Sequence, residues 1–331
     1  MDEINDAIHN EIPHDDYRIV SGFWKRILAF IIDGIILGLA GSVIGLLFYD
    51  LLVSLGKWGS VLGFFLALPY FCLLNSAIGN GQTIGKKIVK IEVIDQDGKH
   101  ISVIRSLVRY IILGLPYFLG GTIISAFYTT TILGQLIGFI VFGFWGIILY
   151  LYIFNRHTRQ SLHDLLVGTY VVKTIPKGSV HFEPIWKPHL IIGWFFFIVV
   201  YISALTLGNV FLKGALHEIL SLQHSIQSTG DVQETTISSS FPSQTKNSFI
   251  RVNVIWNNKP QDFEMAANKI AVIVMRDYPD VMSKDNLIIN ISYGYNIGIA
   301  SAWKSKTFKH SPREWKTALQ SLPEKNNKGD K

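Results

Sequence analysis

Residues 24–48 read WKRILAFIIDGIILGLAGSVIGLLF, and this stretch decides the fold class. A helix rises ~1.5 Å per residue, so about 20 apolar residues cover the hydrocarbon core of a bilayer. The stretch therefore predicts a membrane-spanning helix. Two charged residues stand out in it, Arg26 near its start and Asp33 seven positions deeper. Because seven residues return to nearly the same helix face, we expect the two side chains to point the same way.

The carboxyl group of Asp33 needs a physical reason for its position. A charge in the bilayer core costs at least ~2.5 kcal/mol on insertion scales. Three interpretations stay open at this point. Arg26 is a boundary anchor and Asp33 a packed, satisfied polar residue, or the two form an ion pair that fixes helix register, or the carboxylate binds a proton or a cation.

The same span carries two successive G-x-x-x-G patterns. Small residues at that spacing let another helix approach closely in lipid, although glycine is common in membrane helices generally. The pattern predicts a helix-packing face and, with it, a homo-oligomer. The four glycines are Gly34, Gly38, Gly41 and Gly45.

Composition divides the 331-residue chain into a membrane part and a soluble part. Only 16% of residues are charged, against about 25% in soluble domains, and the apolar runs end near Leu212. We predict an all-α polytopic membrane domain with about five transmembrane helices and a small cytoplasmic hairpin, followed by a C-terminal soluble α+β module. The predicted segments are a polar tail (1–20), a four-helix membrane domain (21–173), a cytoplasmic connector (174–189), a fifth transmembrane helix (190–212), a polar linker (213–249), the module (250–320) and a charged tail (321–331).

Basic residues set the orientation of the membrane part. Lysines and arginines cluster in the N-terminal region and in two loops, whereas the short loops of the opposite side offer only Lys57. The positive-inside rule then places the N-terminus in the cytoplasm, and five spans place the C-terminal module outside it. We expect the protein in the cell (inner) membrane, with the lipid bilayer as a partner. The hairpin is predicted from residues 88–94 and 99–103, which flank an Asp-Gly turn.

Several motifs in order resemble a known family. They are Arg26 with Asp33 in the first span, the sequence GQTIGKK at residues 81–87, and the sequence LHD at residues 162–164. Over residues 18–173 the chain resembles the RDD family, which is named for one arginine and two aspartates in its membrane domain. The resemblance implies that the name-giving residues here are Arg26, Asp33 and Asp164. It also implies a role in transport, including cation/proton exchange for some members.

Asp164 and a lysine pair complete the candidate residues. Asp164 lies on a short leucine-containing segment that fits an interfacial helix. We expect it either to approach Arg26, or else to cap its helix or pair with a nearby arginine, Arg156 or Arg159. Lys86 and Lys87 are expected to contact anionic lipid headgroups.

The sequence offers little sign of an enzyme. The single cysteine, Cys72, excludes an intramolecular disulfide and a multi-cysteine zinc site. His157 and His163 lack the i, i+4 spacing of a helical metal pair, so we expect solvated histidines. No nucleophile, base and orienting group occur together. We therefore expect no enzymatic activity, no metal and no cofactor, and the scattered basic residues argue against a nucleic-acid partner.

Two classes of function remain. The first is transport of protons or small cations through a site involving Asp33. The alternative is a membrane-anchored sensing or protein-binding protein that acts through the extracytoplasmic module, on a ligand or another protein. The aromatic residues of the module form either a binding face or part of its core. They are Tyr293, Tyr295, Trp303 and Trp315.

Overall fold

The computed structural model describes residues 20–127, 132–156, 158–174, 185–211, 215–240 and 248–320. The predicted terminal tails, at 1–19 and from 321 onward, lie outside these ranges, as does most of the predicted connector. The helices are α1 (Phe23–Leu47), α2 (Tyr49–Leu55), α3 (Gly59–Leu74), α4 (Ile84–Val89), α5 (Val103–Phe127), α6 (Ile132–Phe154), α7 (Leu162–Val167), α8 (Pro188–Phe211), α9 (Ala215–Gln227), α10 (Phe263–Asp277) and α11 (Pro312–Gln320). The strands are β1 (Ile91–Asp95), β2 (Thr169–Lys173), β3 (Val232–Ser239), β4 (Phe249–Trp256), β5 (Asn286–Asn296) and β6 (Ser301–His310).

The chain forms two compact units. Among the described residues, the first contains 20–43, 60–205 and 297–300, and the second contains 44–59, 206–296 and 301–320. The N-terminal region is helical and the C-terminal region contains a sheet, as the composition predicts. Two helical stretches of the described chain, Phe23–Leu47 and Tyr49–Leu74, are long and apolar enough to cross a membrane. The count of five transmembrane helices stays a prediction.

Long apolar helices of the first unit pack through aromatic side chains. The ring of Phe64 on α3 stacks on that of Tyr110 on α5, with 5.0 Å between ring centroids. The hydroxyl of Tyr110 donates a hydrogen bond of 2.9 Å to the carbonyl of Phe64. Phe118, further along α5, makes an edge-to-face contact with the ring of Phe64. These contacts pack α3 against α5.

Two segments of the first unit repeat one local structure. In residues 83–95 and in residues 161–173, a six-residue helix is followed by one left-handed residue and a five-residue strand with the same burial pattern. The left-handed residues are Lys90, at φ 58°, and Gly168, at φ 65°. β1 and β2 pair antiparallel with Val93 opposite Val171. The two segments are therefore related by an approximate twofold axis through the centre of this strand pair. Each segment follows long apolar helices, α1 and α3 in one case and α5 and α6 in the other.

The predicted cytoplasmic hairpin is wrong. Residues 84–89 are helical, and β1 pairs with β2 and not with residues 99–103. The Asp-Gly turn does form, because the amide of Asp95 donates 2.8 Å to the carbonyl of Lys99. After that turn the chain enters α5 at Val103, so the partner of β1 comes from a segment about 75 residues later in the chain.

The second unit is a four-stranded sheet with helices on one face. The strand order is β3-β4-β5-β6; β4 and β5 are parallel, joined through α10, and the other pairs are antiparallel. Apolar residues of α9, α10 and α11 pack on the inward residues of the strands in one core. Residues 213–249, predicted to be a polar linker, contain α9 and β3 within their described part. β4 and α10 belong to the region where the α+β module is predicted, at 250–320.

Candidate functional site

A buried layer of charged side chains lies where the short helices α4 and α7 meet the long helices of the first unit. It has two centres, the carboxylates of Asp164 and Asp33, which are 0% and 2% exposed. Burial at this level makes each unpaired charge costly, so the partners of the two carboxylates decide what the layer can do.

Asp164 is bound by two arginines from different helices. Arg109 on α5 donates to Oδ1 through both Nε, at 3.0 Å, and Nη2, at 2.7 Å. Arg26 on α1 approaches Oδ2 through Nη1 at 3.4 Å. Of the partners that the sequence left open, the structure therefore places Arg26 with Asp164. Arg109 was not among the predicted site residues, although an arginine seven residues into a long apolar helix is a detectable signal.

Arg26 is also bound to the backbone of the second repeated segment. Its Nη2 donates to the carbonyl of Val171 at 3.1 Å, and its Nη1 donates to the carbonyl of Arg159. The guanidinium lies 5.9 Å from the ring centre of Tyr152. Arg26 lies on α1, one of the long helices that precede the first repeated segment. It therefore connects that part of the unit to the second repeated segment.

Neutral donors complete the shell of Asp164. The hydroxyl of Thr169 donates to Oδ1 at 3.2 Å, and the amide of Ser161 donates to Oδ2 at 3.3 Å, which caps α7. Burial by itself raises the pKa of this carboxyl, but the charge of Arg109 and the further positive charge around it outweigh burial. The pKa of Asp164 therefore lies well below its usual range, and the group is an anion.

His163 is buried beside this pair and not solvated as predicted. Its side chain is 4% exposed, and its Nε2 lies 3.6 Å from Oδ2 of Asp164. Burial, opposed by the charge of Asp164 and reinforced by the nearby cations, lowers the pKa of His163 to about 3. Its ring is neutral at physiological pH. His157 lies outside the described residues.

Asp33 has a different environment from Asp164. Its Oδ1 accepts hydrogen bonds from the hydroxyl of Tyr70 at 2.6 Å and from the amide of Gly85 at 2.7 Å. Its Oδ2 accepts from the hydroxyl of Thr83 at 2.6 Å. All three donors are neutral, and among the described residues no arginine or lysine forms an ion pair with Asp33.

Gly85 makes this arrangement possible because α4 lies very close to α1. A Cβ at Gly85 would stand 2.2 Å from the carbonyl oxygen of Ala29 and 2.8 Å from Oδ1 of Asp33. Real Cβ atoms do not approach backbone oxygens so closely, so any larger residue would move α4 away from the carboxylate.

The lysine pair of α4 divides between the site and the solvent. Lys86 is half-buried and its ammonium donates to Oδ1 of Asn75, whereas Lys87 is exposed. Burial, and then the charge of Arg109, lowers the pKa of Lys86 well below its usual value. Contact of either lysine with lipid headgroups stays a prediction.

Arg105 holds the second short helix at its opposite end. Its Nη2 donates to the carbonyls of Val167, at 2.7 Å, and Gly168, at 3.0 Å. Its Nη1 lies 3.4 Å from Oδ2 of Asp95 on β1. A cation at the C-terminus of a helix is favourable to its dipole, so Arg105 stabilises α7 and links it to the other repeated segment.

The glycine row of α1 is only partly open. Gly34 is exposed and nothing lies within 4 Å of the position of an added Cβ. Gly38 is half-buried, and Gly41 and Gly45 are buried. That these residues pack against another helix stays a prediction.

Within the described part of the chain, no group of three or more histidine, cysteine, aspartate or glutamate side chains is arranged to hold a metal ion.

Comparisons with known proteins agree with the resemblance seen in the motifs. The RDD family model matches residues 20–168, which include the whole charged layer. The chain is 31% identical over 156 residues to the uncharacterized protein YckC of Bacillus subtilis, covering 47% of this chain and 86% of that protein. It is 27% identical over 173 residues to the uncharacterized protein YxaI of the same organism, covering 46% of this chain and 96% of that protein. No solved structure matches the chain. The chain therefore belongs to the RDD family, through a domain at residues 20–168 that takes up about half its length.

Proposed function

We propose that the RDD domain exchanges protons for small cations across the membrane, at a site formed by Asp33 and Lys86. The observation that carries the proposal is the environment of Asp33, a buried carboxylate bound by three neutral donors. Its negative charge is stabilised by these donors but not neutralised by them. Because these direct contacts are all neutral, a proton or a small cation can bind at the carboxylate, and oxygen atoms of Tyr70 and Thr83 adjoin it as further ligands for a hard cation.

The balance of charges supports exchange. The two arginines, Arg26 and Arg109, are permanently charged and are balanced by the two aspartates. A proton on Lys86 adds one positive charge to this balanced group, and a cation at Asp33 adds the same charge. Because like charges repel strongly in a buried environment, binding of one favours release of the other. Burial lowers the pKa of Lys86, so its proton leaves more readily than that of a solvated lysine.

The predicted orientation places the proposed site toward one side of the membrane. With a cytoplasmic N-terminus, the layer lies toward the cytoplasmic end of the long helices, at the depth of the short helices α4 and α7. Alternate access from the other side requires movement of the long helices. In this proposal the first repeated segment, with α1 and α3, moves relative to the second repeated segment, with α5 and α6. The parallel repeats of some transporters move in this way.

Flux across vesicles tests the proposal. The full-length protein is reconstituted in vesicles that contain a pH-sensitive dye, and a sodium or potassium gradient is imposed. We expect a cation-dependent pH change for the wild type, and a loss of at least about tenfold for Asp33→Asn and for Lys86→Gln, since each removes a charge from the buried site. Lys87→Gln is the matched control, because it removes the adjacent but exposed ammonium, and its flux should equal that of the wild type.

Insertion of every variant is checked by its resistance to carbonate extraction. Absence of any cation-dependent pH change from well-inserted wild-type protein would overturn the proposal. Equal flux from Asp33→Asn and the wild type would remove Asp33 from the path and overturn it as well.

A further inference from the structure

The sheet of the second unit has one face that its helices leave uncovered. Inward residues such as Val252 and Ile289 are fully buried under α10 and its neighbours. The side chains that alternate with them along each strand point to the opposite face. In the centre of this open face, strand register places four hydroxyl and amide side chains in one continuous row across all four strands. The row is Thr236, Asn253, Asn290 and Thr307.

This row has unused capacity for hydrogen bonds. The hydroxyl of Thr307 donates to Oδ1 of Asn290 at 3.0 Å, and Nδ2 of Asn290 donates weakly to Ser292 at 3.4 Å. The half-buried amide of Asn253 has no hydrogen-bond partner among the described residues. With strands spaced roughly 4.8 Å apart, the row is about 14 Å long. A ligand rich in hydroxyl groups fits such a row, because each hydroxyl both donates and accepts.

An aromatic ring lies at one end of the open face. Trp303 on β6 stands opposite Gly294 on β5, and atom Cε3 of its ring would lie 2.9 Å from a Cβ at that glycine. The indole therefore rests on the sheet where a side chain is absent. Trp303 is 41% exposed, whereas the other aromatic residues predicted as a possible face, Tyr293, Tyr295 and Trp315, are at most 5% exposed. An exposed indole ring on a flat surface offers its apolar face to a flat partner.

Two cations lie toward the other end. Arg251 on β4 and Lys309 on β6 flank Ile288 in register, two strand spacings or roughly 10 Å apart. Both are exposed, and neither forms an ion pair among the described residues. The guanidinium of Arg251 lies 5.6 Å over the ring of Phe249, which holds it on the face. One carboxylate of the face, Glu234, lies on the edge strand β3. The pair of cations is complementary to a ligand with acidic groups.

We propose that this face binds an acidic polysaccharide. A sugar ring lies on Trp303, its neighbours exchange hydrogen bonds with the row through Asn253 and Asn290, and an acidic group reaches Arg251 and Lys309. The face extends six residues along β6 from Trp303 to Lys309, about 20 Å, so it accommodates several sugar units. This activity does not depend on ion exchange in the RDD domain.

Calorimetric titration of the full-length protein in zwitterionic nanodiscs tests the proposal, with hexagalacturonate as the probe. We expect binding that weakens with salt, and that is about tenfold weaker in Trp303→Ala and in the double variant Arg251→Gln, Lys309→Gln. Trp303→Phe should recover part of the affinity, because it restores a ring. Lys316→Gln removes an exposed cation of α11 and should bind as the wild type does.

Three comparisons decide the outcome. A neutral sugar of the same length, maltohexaose, should bind more weakly than hexagalacturonate, and polyglutamate should bind more weakly because it has charge but no rings. No binding of hexagalacturonate, or equal binding by Trp303→Ala, would overturn the proposal. So would equal binding of polyglutamate, or binding to anionic lipid vesicles that the same substitutions abolish, since these would assign the face to charge alone or to a membrane surface.

Discussion

Asp164 shows how one residue can be identified from the sequence while its role cannot. The motif resemblance selected Arg26, Asp33 and Asp164, and all three are buried in the charged layer. The sequence left the pairing of Arg26 with Asp164 as one of two alternatives, because helix periodicity places Arg26 and Asp33 on one face but says nothing about a partner more than 130 residues away. The shorter of the two arginine contacts to Asp164, at 2.7 Å, comes from Arg109, which was not among the predicted site residues.

Removing the main partner of Asp164 should be strongly destabilising. Arg109→Gln leaves a buried carboxylate without its two shortest ionic hydrogen bonds, so we expect a loss of about 3–5 kcal/mol in the free energy of unfolding. Thermal unfolding in detergent measures it, with Lys87→Gln as the exposed control. A stability of Arg109→Gln equal to the wild type would contradict the arrangement.

His163 predicts a specific dependence on pH. Its pKa is about 3 in the folded protein against 6.5 in the unfolded chain. Between these values the unfolded state binds a proton that the folded state does not, so stability rises with pH and is lost on acidification. From pH 6.5 to pH 4 the contribution is on the order of 3 kcal/mol.

Unfolding of the wild type and of His163→Gln across that pH range measures the contribution of His163. The variant should lose less stability on acidification, because its side chain does not titrate. The same acid dependence in both proteins would show that His163 is not buried as a neutral ring.

At the scale of elements, the local sequence predicted helices and turns correctly, but it did not predict which strands pair when they are distant in the chain. The length of the apolar stretch at residues 24–48 predicted a long helix, and α1 (Phe23–Leu47) is that helix. The Asp-Gly turn after β1 is also real, but a turn does not decide which strand pairs with β1. β3 was assigned to a linker because its sequence, VQETTISS, is polar. It is an edge strand in which only Val232 and Thr235 are buried, so few of its positions require apolar side chains.

Cysteine cross-linking tests the pairing of β1 with β2. In a Cys72→Ala background, Glu92→Cys with Val172→Cys places two cysteines directly opposite each other, where Cα atoms lie about 4.5–5.5 Å apart and a disulfide can form. Glu92→Cys with Tyr170→Cys is two residues out of register, at a distance of about 7–8 Å. Oxidation followed by a gel-shift assay should cross-link the first pair efficiently and the second poorly. Equal yields would contradict the register.

For the molecule as a whole, the sequence predicted a helical membrane part followed by a soluble part with a sheet, and the structure has a helical N-terminal region with two candidate spans and a C-terminal region that contains a sheet. The number of membrane spans stays a prediction, since two stretches of the described chain are long and apolar enough to cross a bilayer. The duplication of helix, left-handed residue and strand in the RDD domain was not visible in the sequence. The two segments share burial and conformation but few identical residues, because packing at these positions requires apolar character more than particular side chains.

Proton release on cation binding is the direct measure of exchange at Asp33 and Lys86. The full-length protein in detergent is held in weakly buffered solution with a pH-sensitive dye, sodium or potassium chloride is added, and choline chloride serves as the salt control. We predict cation-dependent proton release from the wild type and from Lys87→Gln, and none from Asp33→Asn or Lys86→Gln. Release of as many protons by Asp33→Asn as by the wild type, or no release by the wild type, would contradict the account.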